Sequence, residues 1–260
     1  MGNKNFLFLI ILFLVLLLGA VPVGRASNYE IGVEKGDEFI WKSKVCDEDK
    51  MKDLFGRNWN RNQTALFENL EQGAQMRWII KETEDDKEMY NSEKQKNEEF
   101  LSVTYRKWKW TDQEKWGDHD YEDYFDHYAD PTDYPDDYIF IDFAPIWLPL
   151  PLDDYLKEID LYEGYNIDGR SIAALTCEIE RGDWKGNYPT EFVKIQAMYD
   201  NQGILTSYKL FLKDNRVIID ISLDNSIVSH PILKNYFFPV ITAIFYIGII
   251  YIIYKKIIMS

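Results

Sequence analysis

Cysteine is scarce in this sequence and basic residues are outnumbered by acidic ones, and each of these features excludes a class of protein. The chain of 260 residues has two cysteines, too few for a disulfide-rich scaffold or an all-cysteine zinc site. Acidic residues outnumber basic ones by 44 to 29, and the net charge of −15 argues against nucleic-acid binding, which depends on Lys and Arg. Phosphate-loop, dinucleotide-binding and HExxH motifs are also absent. The sequence therefore offers no recognised catalytic motif.

Hydrophobic and aromatic residues are plentiful by contrast. They make up 46% and 16% of the chain, which is too much for a disordered acidic protein. The sequence is therefore expected to fold around a proper core.

The first 26 residues have the features of a secretory signal peptide. Lys4 precedes an apolar run from Phe6 to Leu18, and Gly24 and Ala26 are the small residues that a signal peptidase requires. We expect cleavage after Ala26. The alternative is an uncleaved signal anchor, and the domain that follows is exported on either interpretation.

The C-terminal segment is predicted to cross a membrane. Residues 236–254 are 19 residues without a charge, and Lys234 and Lys255-Lys256 flank them. A helix of this length is about 28 Å long and matches the hydrocarbon core of a bilayer. We predict a transmembrane helix at 234–255, with the lipid bilayer as partner of 236–254, and a cytoplasmic tail at 256–260. A buried core helix is the alternative.

Residues 27–233 would then be an acidic extracytoplasmic domain of a single-pass protein of the cell membrane. They contain all 44 acidic residues and 24 basic ones, a net charge of −20. The segment 112–142 alone contributes −11. Such a domain stays soluble beside an anionic lipid surface.

Alternating apolar residues predict that this domain is built largely from β-strands. The clearest run is a three-stranded antiparallel meander at 191–199, 204–212 and 216–223, with turn residues between the strands. Further strands are expected at 39–45, 76–80, 101–105, 138–143 and 172–180. We predict an α+β fold in which two or three helices cover a curved antiparallel sheet, plus the transmembrane helix.

The remaining segments of the domain are assigned from their composition. Helices are expected at 62–70 and 153–164. The charged stretch 82–99 is interpreted as a solvated loop or frayed helix, and the proline-containing run 145–151 as an extended, buried crossing loop or edge cover.

The acidic and aromatic segment contains the candidate metal site. Asp118, Asp120 and Glu122 have the spacing of the first three ligands of an EF-hand loop, which suggests Ca²⁺. The pattern fails later, because Asp123 replaces the required Gly and Ala129 the final Glu.

A helix is the competing interpretation of the same segment. Tyr121, Tyr124, Phe125 and Tyr128 have helical spacing and would face the core, while His119, Asp123 and His127 would face solvent. A transition-metal site that uses these histidines is a further alternative.

Two covalent modifications are predicted. Cys46 and Cys177 would both be exported and could form one disulfide, with two buried free thiols as the alternative. Asn62 begins the only N-glycosylation sequon, although its side chain could instead cap a helix.

Two stretches resemble known sequences. Val33–Trp41 and Tyr199–Leu205, together with the signal and single C-terminal span, resemble uncharacterised surface-anchored ectodomain proteins of Asgard-type archaea. The resemblance covers about 20 residues plus the overall layout. It implies a surface location and suggests a half-barrel like that of lipoprotein carriers, but it assigns no functional residue.

We expect a non-enzymatic binding or adhesion module whose partner is an unknown protein, glycan or apolar ligand. The contact surface would be Trp147 with its proline run, or Trp108, Trp110 and Trp116, unless these residues pack in the core. The alternative is a carrier of an apolar or lipid-like ligand in a half-barrel cavity. An extracellular hydrolase with paired carboxylates is a third possibility.

Overall fold

Nine strands and two short helices form the part of the protein that the computed structural model describes: residues 29–61, 66–92, 94–112, 116–168, 174–184 and 188–224. The elements are β1 (Glu38–Cys46), α1 (Glu48–Phe55), β2 (Gln75–Asn91), β3 (Lys96–Thr111), β4 (Tyr121–Tyr128), α2 (Leu152–Glu158), β5 (Tyr165–Asp168), β6 (Ala174–Ile179), β7 (Val193–Tyr199), β8 (Leu205–Leu212) and β9 (Val217–Leu223). Two 3-10 helices lie at Pro131–Asp133 and Ile141–Phe143.

All nine strands belong to one antiparallel sheet in the order β4-β3-β2-β1-β9-β8-β7-β6-β5. The sheet consists of two meanders, β1 to β4 and β5 to β9, which meet where β1 pairs with β9. The predicted α+β class, in which two or three helices cover the sheet, is therefore wrong. One sheet dominates, and α1 and α2 have only 8 and 7 residues.

Membrane-directed segments fall outside this description. Within the described ranges, no helix combines the length and the apolar character needed to cross a membrane. The predicted signal peptide at 1–26 and span at 234–255 lie among the residues that are not described.

The predicted C-terminal meander is confirmed. Every second residue of β7 is buried, namely Val193, Ile195, Ala197 and Tyr199, because successive side chains of a strand point to opposite faces. The turn before β8 requires Gly203, whose φ is +79° and whose Cα lies so close to the Leu148 carbonyl that a Cβ would be 2.1 Å from its oxygen.

The charged stretch 82–99 is not a loop. It forms the outer halves of β2 and β3, whose register continues from Glu82 opposite Thr104 to Asn91 opposite Lys96. The stretch has few apolar residues, so its strand pairing is supported by charge contacts. Lys87 contacts the Asp126 carboxylate at 2.9 Å, for example.

The predicted helix around Tyr121 is also wrong, because residues 121–128 form β4 and pair with β3. Aromatic residues are favoured in strands, and here their helical spacing is coincidental. His127 consequently lies in the core at 1% exposure instead of facing solvent.

Two further expectations need correction. A helix is expected at 62–70, but residues 66–69 form a turn and 62–65 lie outside the described residues. A strand is expected at 138–143, but this segment contains the 3-10 helix Ile141–Phe143. By contrast, α2 begins within one residue of the predicted start but ends earlier, at Glu158.

Large side chains fill the space between the sheet and the segments that cover it. The proline-containing run is extended and buried as predicted, and Leu148 N donates to Gly203 O at 2.8 Å. The largest side chains below 2% exposure include Trp41, Trp78, Trp147, Tyr155, Tyr199 and Tyr208. These buried rings occupy much of the space between the sheet and the covering segments.

Candidate functional site

A cleft of about 560 Å³ lies at the β4 margin of the sheet. Its lining residues come from β3, β4, the turn at 66–69 and the segment 141–146: Leu66, Glu68, Tyr105, Lys109, Tyr121, Glu122, Asp123, Tyr124, Phe125, Ile141, Asp142, Ala144, Pro145 and Ile146. Tyr124 and Ile141 are 57% and 52% exposed, two of the three large hydrophobic side chains that are exposed in the described part. Exposed apolar side chains beside a concave surface are typical of a binding site.

An ionic cluster forms one wall of this cleft. The Glu68 carboxylate accepts hydrogen bonds from Lys109 Nζ at 2.8 Å, Lys107 Nζ at 3.3 Å and the Tyr121 hydroxyl at 2.6 Å. The period of β3 places Lys107 on the buried face, where its side chain is 1% exposed. A lysine in this position requires a carboxylate partner, which the turn at 66–69 supplies.

The cluster keeps its carboxylate ionised. Burial alone would raise the pKa of Glu68, but the bonds from Lys109 and Tyr121 and the charge of Lys107 outweigh burial, so this pKa is lowered. Burial lowers the pKa of Lys107, while Glu68 and Asp142 oppose the change. Burial and the bond to Glu68 raise the pKa of Tyr121. A general acid needs a raised carboxyl pKa, so Glu68 is better suited to binding than to proton transfer.

Asp142 fixes the opposite wall. Its φ is +56°, and the next residue, Phe143, has φ +64°, in the left-handed region that non-glycine residues rarely adopt. The Asp142 carboxylate accepts a hydrogen bond from Leu66 N at 3.0 Å, and its carbonyl accepts one from the Tyr208 hydroxyl at 3.0 Å. These bonds compensate for the strained backbone and hold this wall against the rest of the core.

Two of the three predicted calcium ligands are engaged separately. Glu122 pairs with Lys81 and with Arg106, the latter at 2.9 Å, and these bonds lower its pKa to about 2. The Asp120 carboxylate accepts a hydrogen bond from Lys109 N at 2.7 Å, and Asp118 is exposed. Across the described ranges, no group of three or more potential ligands comes together.

The two histidines of this segment also lie apart. His127 Nε2 donates to the Trp147 carbonyl at 2.9 Å, so Nδ1 accepts from the Tyr134 hydroxyl at 2.7 Å. His119 is partly exposed beside the ring of Trp108. Burial lowers the pKa of His127 to about 4.

The two cysteines are both buried free thiols, so the predicted disulfide is not formed. Cys46 lies on β1 and Cys177 on β6, with three strands between them at a spacing of about 4.8 Å per strand. Burial raises the pKa of each thiol to about 12. The predicted glycosylation site, Asn62, lies outside the described residues.

The tryptophans proposed as a contact surface divide into two groups. Trp147 and Trp110 are buried at 1% and 6% exposure, so they pack in the core. Trp108 and Trp116 are partly exposed and surround the Arg77 guanidinium, which lies 4.6 Å and 5.8 Å from their rings.

The residues of the ionic cluster were not predicted as site residues. A signal was present, because extending the alternation of Leu101, Val103 and Tyr105 by two steps puts Lys107 and Lys109 on the buried face. No comparable signal marks Glu68 or Asp142, since both lie outside regular strands.

Comparisons of the chain with protein-family models, curated proteins and solved structures gave no match. The similarity to archaeal surface proteins therefore stays a prediction.

Proposed function

We propose that this domain is a non-enzymatic binding module of the cell surface and that the cleft at β4 binds a cationic group of its ligand. The observation that carries the proposal is the combination of charge and exposed apolar surface in one cleft. Four carboxylates line it, those of Glu68, Glu122, Asp123 and Asp142. Basic side chains already pair with Glu68 and Glu122, so we expect Asp123 to be the main carboxylate contact of the cation.

The aromatic residues of the cleft favour the same kind of ligand. Rings of Tyr105, Tyr121, Tyr124 and Phe125 lie in the lining, and an ammonium or guanidinium group is attracted to the face of such rings. Tyr124 already contacts a cation in this way, since Lys87 Nζ lies 4.0 Å from its ring centroid. Carboxylates supply the charge and the rings supply apolar contact.

Rigid walls should limit the cost of binding. Glu68 is held by three donors and Asp142 is bonded to the turn at 66–69, so these groups need little reorganisation when a ligand arrives. Preorganised polar groups in a partly apolar concavity are typical of specific binding sites.

The location is proposed from sequence. The secretory signal predicted at 1–26 would export the domain, and the span predicted at 234–255 would tether it to the bilayer. A tethered domain with an open cleft is suited to capturing a ligand near the membrane surface.

A carrier of apolar ligands has less support. Such a carrier needs a closed apolar cavity, whereas large side chains fill the described core and four carboxylates line the open cleft. An apolar ligand in this cleft would have to remove water from charged groups without replacing their hydrogen bonds.

Melting temperatures of the full-length protein in detergent test the proposal. We expect spermidine to raise the melting temperature at physiological salt, while glutarate and maltose do not. The variant Asp123→Lys should lose the response to spermidine, because it puts a lysine into the cleft lining. Asp118→Lys makes the same charge change at an exposed residue outside the lining and should keep the response.

Equal loss of the response in Asp118→Lys and Asp123→Lys would contradict the proposal, since spermidine would then sense overall charge. Stabilisation by glutarate or maltose instead of spermidine would also contradict it.

A further inference from the structure

We infer that the ligand is an extended basic peptide that adds to the sheet as a tenth strand alongside β4. The inference rests on the proposed function of the cleft and specifies its ligand. It follows from the direction of the backbone groups of β4, from the position of the cleft and from charge.

β4 is an edge strand. In the described part of the chain it pairs with β3 alone, and the register runs from Tyr121 opposite Lys107 to Tyr128 opposite Phe100. An edge strand presents every second N–H and C=O group away from its neighbour, where another strand can pair with it.

The hydrogen bonds identify which residues face outward. Ala129 directly follows β4, and its N–H donates to the Glu99 carbonyl of β3 at 2.9 Å. Backbone groups alternate in direction along a strand, so the odd-numbered residues of β4 direct their N–H and C=O groups toward β3. The even-numbered residues direct theirs away from it. Two bonds agree with this alternation. Tyr124 N donates to the Asp123 carboxylate at 2.9 Å, and Tyr128 O accepts from the Tyr155 hydroxyl at 2.7 Å.

These bonds also define the open part of the edge. Tyr155 occupies the carbonyl of Tyr128, which closes the C-terminal end of β4. The N–H of Tyr124 is bonded to the carboxylate of the adjacent Asp123. The carbonyl of an added strand would replace this carboxylate. The open edge therefore extends over Glu122 to Asp126.

The cleft lies along this open edge. Five consecutive residues, 121–125, line it, and they include side chains from both faces of the strand. A pocket against one face of the sheet would contact alternate residues only. Residues of the segment 141–146 line the cleft as well.

Charge decides what the added strand should be. In the antiparallel register centred on Tyr124, a second copy of β4 would place Glu122 opposite Asp126, and like charges directly opposite are destabilising. Lys81, Arg106 and Lys87 already pair with Glu122 and Asp126, whereas Asp123 is exposed on the other face of β4. A strand with Lys or Arg at alternate positions would instead meet Asp123 on the cleft face, and its other side chains would contact Tyr124 on the opposite face.

Peptide binding to the full-length protein tests this inference. The probe is a fluorescein-labelled eight-residue peptide that alternates Lys and Val, followed by fluorescence anisotropy at physiological salt. Its matched control is the same sequence with every backbone nitrogen methylated, which keeps the charges and removes the donors. We expect the control to bind at least tenfold more weakly.

A pair of variants isolates the outward N–H of β4. Tyr124→Pro removes this N–H without removing a bond to β3, and proline is tolerated at such edge positions. Tyr124→Ala loses the same ring but keeps the N–H. We expect Tyr124→Pro to bind the peptide at least tenfold more weakly than Tyr124→Ala.

The outcomes separate this inference from the proposed function. Equal binding by the two variants, or by the two peptides, would overturn strand addition, while a retained response to spermidine would leave the cleft as a cation site. If neither the peptide nor spermidine binds, both proposals fail. Self-association of the wild-type protein that Tyr124→Pro abolishes would assign the edge to a second copy and also overturn the inference.

Discussion

The two meanders of the sheet use their inner faces differently. In β5 to β9 the inward residues are almost all apolar and buried, such as Ile195, Leu210 and Ile221. In β1 to β4 the inner face begins with Trp41 and Trp78 but ends at β3 and β4 with an ionic cluster and an open cleft. The C-terminal meander therefore supplies the more continuous apolar packing, whereas the β4 margin has an open cleft, which is where we propose that the ligand binds.

The same change at two leucines tests this comparison most strongly. Leu210 lies in the filled part of the core and Leu66 lines the cleft, although both are 0% exposed. We expect Leu210→Ala to lower the free energy of unfolding by about 4 kcal/mol and Leu66→Ala by about 2 kcal/mol, because the cost depends on how well the site can relax. Urea unfolding followed by tryptophan fluorescence measures both values. Equal losses would mean that the cleft wall is packed as tightly as the meander.

The difference between the meanders also explains what could be predicted from sequence. Burial alternates along β7 and, apart from one irregularity in each, along β8 and β9, and turn residues separate the three strands, so local sequence and core packing agree. In β4, Tyr121, Tyr124, Phe125 and Tyr128 have helical spacing, and only pairing with β3 makes the segment a strand. Residues 82–99 of β2 and β3 lack alternating apolar side chains, so they carry no sequence signal for a strand. Charge contacts such as that of Lys87 with Asp126 support their pairing instead.

The candidate site was harder to predict than the fold for a related reason. Glu68 and Asp142 are brought to Lys107 by the turn at 66–69 and by the 3-10 helix Ile141–Phe143, not by spacing in the sequence. The predicted ligands Asp118, Asp120 and Glu122 are close in sequence, but Lys109 and Arg106 engage two of them from the neighbouring strand. Charge contacts between strands cannot be read from one strand alone.

Acid titration tests the buried histidine of β4. His127 is buried and neutral with a pKa of about 4, below the value of about 6.5 expected when unfolded. The unfolded chain therefore binds more protons between these values, and folding stability is lost as the pH falls through this window. The loss attributable to His127 is about 3 kcal/mol between pH 6.5 and pH 4.

The variant His127→Gln should reduce this pH dependence, although it lowers stability at neutral pH because the bonds to Tyr134 and the Trp147 carbonyl change. His119→Gln is the matched control, because it removes an imidazole at a partly exposed position. Urea unfolding at pH 4.5, 5.5 and 7 measures both. A wild-type slope in His127→Gln would show that carboxylates alone cause the acid sensitivity.

The ionic cluster allows the finest test, because its charge can be removed while its hydrogen bond is kept. Glu68→Gln can still accept from Tyr121 but leaves the buried Lys107 without this carboxylate, and we expect a loss of about 2 kcal/mol. Adding Lys107→Met should recover most of that loss, since an apolar side chain of similar size needs no partner. Urea unfolding of the two variants measures the recovery. A double variant that is no more stable than Glu68→Gln would contradict this expectation. The geometry of the cluster would then matter more than its charge, and the two meanders would differ mainly in packing.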